Sequence, residues 1–88
     1  MSTPPKTLAR AMKHLWQCAD ERGFSEDACA DLDDRIKRDG PMDRTGLWRS
    51  AQSYMEGELH TESPDWTTVK TLHRVWSEAL RWSKTGAP

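Results

Sequence analysis

The chain has 88 residues, of which 35% are hydrophobic and 31% charged, with a mean hydropathy of -0.90 and a formal net charge of -1. A chain this short forms one domain and buries only about 60 to 65% of the surface that its unfolded form exposes, so its core is thin. The near-neutral balance argues against the strong basic excess of independent nucleic-acid binders. The opening MSTPPK is not a signal peptide, and no apolar run approaches the ~18 residues that cross a bilayer, so a cytoplasmic protein with two reduced core thiols is expected.

Punctuation and period bracket four helices with no strand between them, which predicts an all-α, small four-helix bundle-like domain over residues 1–88. The first helix spans about 4–22: Thr3 or Ser2 caps it, and Pro4 and Pro5 suit a first turn whose amides are unpaired anyway. Leu8, Met12, Leu15 and Ala19 recur at helical spacing, Lys6, Arg10, Lys13 and Gln17 fall opposite, and Gly23 closes the helix. The second helix, about 25–39, has Ser25 as its cap and Glu26 and Asp27 at the positive end of its dipole. Its stripe is Ala28, Cys29, Leu32 and Ile36, and Gly40 and Pro41 end it. Positions summing to 47 match across Gly23 (Leu15 with Leu32, Ala19 with Ala28, Ala11 with Ile36, Cys18 with Cys29), which predicts an N-terminal antiparallel αα-hairpin.

The third helix runs from Asp43 or Thr45 to about Leu59, with Leu47, Trp48, Ala51, Tyr54, Met55 and Leu59 along one face. The fourth, about 64–85, takes Ser63 as cap and Pro64 as first residue. Its apolar arc includes Val69, Leu72, Val75, Trp76, Ala79, Leu80 and Trp82 and is wide enough for a central helix, a further partner or a second copy in a homodimer.

One metal constellation can be assembled. His14 and Cys18 lie four apart on the first helix and face Cys29 and Asp33, four apart on the second, a donor set that suits tetrahedral zinc. The more ordinary expectation is two buried thiols beside a surface histidine, with no metal and no cofactor. No glycine-rich phosphate loop, nucleophile elbow or His-Glu-x-x-His motif occurs, and His14, His60 and His73 lie apart in the chain. A non-enzymatic protein is therefore expected, with no catalytic residue.

Charge is segregated: residues 20–34 hold seven acids against Arg22 alone, whereas residues 1–19 and 66–88 are each net basic. Glu26, Asp27, Asp31 and Asp34 form one candidate partner-binding surface, joined by Trp16, Trp66 and Trp82 as aromatic contact residues. Such a surface docks on the basic groove of a nucleic-acid-binding protein. It suits a small inhibitor of restriction or CRISPR machinery, of the bacteriophage or mobile-element kind, a likeness of character with no shared motif. The alternative is a DNA-binding transcriptional regulator that uses Lys70, Arg74, Arg81 and Lys84, a basic stripe at steps of four, seven and three on the fourth helix.

Overall fold

The computed structural model describes residues 3–38 and 40–85, and these form four α-helices: α1 (Lys6–Arg22), α2 (Glu26–Lys37), α3 (Pro41–Leu59) and α4 (Trp66–Thr85). Helices adjacent in the chain pack on each other and α4 closes back on α1; among the described residues the diagonal pairs do not meet. The result is a four-helix bundle measuring 42 × 20 × 19 Å. Two contacts fix α1 and α4 as antiparallel: Arg22 ends α1 beside Asp65, just before α4, and Thr7 near the start of α1 donates to Glu78 in the second half of α4. No described helix is long and apolar enough to cross a membrane.

The helix ends explain where sequence punctuation misplaces a boundary. The Pro5 backbone is extended (ψ 146°) and its carbonyl accepts from Leu8 and Ala9, so Pro5 is the cap and both prolines stay outside α1. The expected cap Thr3 lies outside the helix, and Ser2 lies outside the described residues. Ser25 caps α2 as expected, accepting from the amide of Ala28 at 3.2 Å. Pro41, read as the end of α2, is instead the first residue of α3, two residues before Asp43, where its missing amide hydrogen costs nothing. Asp65, not Ser63, caps α4: its carbonyl receives the Val69 amide and its carboxylate receives the Thr68 hydroxyl at 2.6 Å.

Gly23 takes φ 76°, the left-handed turn that lets α2 fold back on α1. Across that turn the matched pairs are buried or partly buried: Leu15, Leu32, Ala19, Ala28, Ala11, Cys18 and Cys29 are buried and Ile36 is half-buried. The bundle closes over Leu8, Met12, Leu15, Leu32, Leu47, Leu72, Val75 and Trp82, with Ala11, Ala51 and Ala79 allowing the backbones to approach. Gly46 permits a close approach of another kind, since a Cβ there would stand 2.8 Å from the Arg35 guanidinium of α2.

Candidate functional site

Most of the wide apolar arc of α4 is covered by α1 and α3, while Trp76 and Leu80 stay half-buried. Val69, Leu72, Val75, Ala79 and Trp82 are buried, so α4 lies between α1 and α3. This corrects the expectation for Trp82, which is 6% exposed and forms part of the core instead of a contact surface. The basic Arg44 of α3 packs over its ring, 4.8 Å from the centroid. Trp16 is half-committed: its indole Nε1–H donates to Asp33 Oδ2 at 2.7 Å, pinning the ring to α2 while it remains 37% exposed. Trp66, the first residue of α4, is 60% exposed.

The four metal candidates do not converge. Buried Cys18 Sγ lies 3.7 Å from Thr71 Oγ1 on α4, Cys29 Sγ points to the Leu15 carbonyl at 3.7 Å, and Asp33 accepts from Trp16. His14 is exposed on the side of α1 that meets α4. Among the described residues no three histidine, cysteine or carboxylate side chains are placed to hold a metal ion, which corrects the constellation drawn from spacing. Both cysteines are free thiols, and burial, followed by the nearby Asp33 carboxylate, pushes Cys29 up to about 11.

Part of the acidic face is engaged by its own neighbours. Asp31 accepts from Arg35 Nε at 3.1 Å and from the Tyr54 hydroxyl at 2.9 Å, and Asp34 accepts from Arg38 at 3.3 Å. Glu26 and Asp27 are exposed in the first turn of α2, where their charges favour the helix dipole.

The opposite side of the bundle carries the other sign. One open recess lies on the α1–α4 seam, lined by His14, Thr67, Lys70, Thr71 and Arg74, and a second lies on the outer face of α1, lined by Ala9, Arg10, Lys13, His14 and Gln17. Every titratable side chain in these linings is a base, and His14 belongs to both, so the seam recess is a cationic groove bordered by the basic outer face of α1. Lys70 and Arg74 lie in it as members of the predicted stripe, while Arg81 and Lys84 are exposed further along α4. The contribution of Arg10, Lys13 and His14 escapes sequence reasoning. The basic stripe of α1 is visible there, but nothing local says that α1 lies against α4.

The groove is held by its ends. Thr7 donates to Glu78 at 2.7 Å and Arg22 stands 3.7 Å from Asp65, while within α4 the Thr71 hydroxyl donates to the Thr67 carbonyl at 2.8 Å. Glu78 is thereby turned toward the N-terminus of α1. No protein-family model matches the chain, and no curated protein or solved structure matches it either.

Proposed function

We propose that the chain is a non-enzymatic binding protein of the cytoplasm, and that its partner surface is the cationic groove between α1 and α4, which receives the phosphate backbone of a nucleic acid. The observation that carries this reading is the convergence of Arg10, Lys13, His14, Lys70 and Arg74, from two helices, on adjoining recesses with no carboxylate in their linings. Like charges at such spacing repel one another, and a polyanion relieves that repulsion while releasing its own counterions. The net charge of -1 does not oppose this, because much of the acid lies on α2, which packs on α1 and α3 and not on α4.

The test is fluorescence anisotropy with labelled oligonucleotides at about 50 mM salt, where backbone-driven binding is strong. Affinity is expected to fall steeply with added salt, and a combined Arg10→Ala, Lys70→Ala and Arg74→Ala variant is expected to lose binding with its helix content intact. Absence of binding to both duplex and single strand at tens of micromolar protein overturns the proposal.

The exposed Glu26 and Asp27 support a second reading, in which the acidic margin of α2 docks on the basic groove of a nucleic-acid-processing protein, as an inhibitor of phage or mobile-element type would. Glu26→Lys with Asp27→Lys is expected to abolish capture of such a partner while leaving oligonucleotide binding in place. Unchanged capture sinks this second reading.

A further inference from the structure

We infer that the groove takes its nucleic acid as a single strand, with one base stacked on the Trp66 indole. The inference rests on the reading of the groove above and adds the form of the ligand. Shape argues first. His14, Lys70 and Arg74 line an open recess on the seam between two packed helices, whose axes in such bundles lie about 8–10 Å apart, and Arg10 and Lys13 flank it on the adjoining face of α1. Duplex recognition works the other way round, with a protruding helix entering a major groove about 12 Å wide. A recess between two packed helices accepts one flexible strand, whereas a duplex rides over its rim.

The second argument is the place of Trp66. At 60% it is more exposed than Trp16 at 37% or Trp82 at 6%, and it precedes Thr67 and stands four residues before Lys70, both of which line the groove. Residues four apart share a helix face about 6 Å apart along the axis. The indole lines neither recess itself, but it stands beside Thr67 in the chain with the Lys70 ammonium one helical turn away. Aromatic rings beside a charged track are how proteins hold single strands, because every base offers a face to stack. In a duplex the bases are already stacked on each other, and an indole at the rim has no base to meet.

The experiment uses a labelled oligothymidylate of about a dozen nucleotides, an abasic strand of the same length and a blunt duplex of the same length. Each is titrated into the full chain, Trp66→Ala, Trp66→Phe and the combined Arg10, Lys70 and Arg74 variant, with helix content checked by circular dichroism. Oligothymidylate is expected to bind more tightly than the duplex and to quench tryptophan emission. Trp66→Ala is expected to lose on the order of ten- to a hundredfold in affinity for oligothymidylate together with the quench, Trp66→Phe to keep most of the affinity, and the abasic strand to bind the full chain and Trp66→Ala alike. Equal or tighter duplex binding, or an unchanged affinity in Trp66→Ala, overturns the stacked single strand and leaves the groove standing. Binding of none of the three probes removes the groove reading as well.

Discussion

The Arg44 guanidinium of α3 lies 4.8 Å from the centre of the Trp82 ring of α4, and both side chains are buried, at 8% and 6% exposure. A cation placed over an indole and shielded from water gains on the order of 2 kcal/mol, and the ring fills core volume besides. Trp82→Ala is therefore expected to lower unfolding free energy by about 3–5 kcal/mol in denaturant melts. Arg44→Met keeps much of the stem and loses the charge, and is expected to cost about 2 kcal/mol. If both variants melt with the parent chain, the α3–α4 contact is not where the stability of the bundle resides.

The cap of α4 predicts an acid limb. The Thr68 hydroxyl, helped by Arg22 and by the amides of Thr67 and Thr68, holds the Asp65 carboxyl below its ordinary value. A folded-state value below the unfolded one means that the carboxylate contributes stability above the unfolded value of about 3.9 and loses it as pH falls through the folded one. Asp65→Asn keeps an acceptor and removes the charge, so its melting temperature is expected to lie below that of the parent at pH 7 and to approach it near pH 2. A constant gap across that range would show that the charge at Asp65 contributes nothing.

Cys29 gives the opposite limb. Its thiol is pushed up to about 11 by burial, so the folded state holds the proton more tightly than the unfolded chain, where the value is 9.0. Its contribution is then complete below about pH 9 and declines as pH rises toward 11. A disulfide-exchange reagent at pH 8 is expected to leave Cys29 unmodified in the native protein and to react after denaturation, and Cys29→Ala is expected to flatten the alkaline decline. Rapid native-state labelling of Cys29 would contradict its burial against Leu15.

How far the sequence could be read follows from what is local in it. Ser25, Gly23 and the 3.6-residue recurrence of Leu8, Met12 and Leu15 are local signals, and they place helices and the first turn correctly because each acts within a few residues. The starts of α3 and α4 escape local reading for a physical reason: a proline that cannot continue one helix can begin the next, and Ser63 and Asp65 are both competent caps within three residues of each other. The adjacency of α1 and α4 is a long-range property. For that reason the basic stripes of Arg10 and Lys13 and of Lys70 and Arg74 read as two separate surfaces until the bundle brings them side by side at His14. Trp82 shows the same limit from the other side, since a ring at the edge of an apolar arc is surface or core according to where Arg44 and α3 lie.

The acidic side of α2 separates structure from surface most sharply at Asp31. Its carboxylate joins Arg35 of the same helix to Tyr54 of α3, a half-buried hydroxyl 2.9 Å away whose own titration is raised first by burial and then by this bond. Removing the acceptor strands the hydroxyl and the guanidinium together, whereas Tyr54→Phe removes only one donor and leaves Asp31 paired with Arg35. Tyr54→Phe is expected to cost about 1 kcal/mol, and Asp31→Ala about 1–3 kcal/mol. Asp27→Lys, on an exposed residue in the first turn, is expected to cost no more than about 1 kcal/mol through the helix dipole. Chemical melts of the three variants give the order directly. If Asp31→Ala proves as mild as Asp27→Lys, the Asp31 bond does not tie α2 to α3 and that carboxylate is available to a partner.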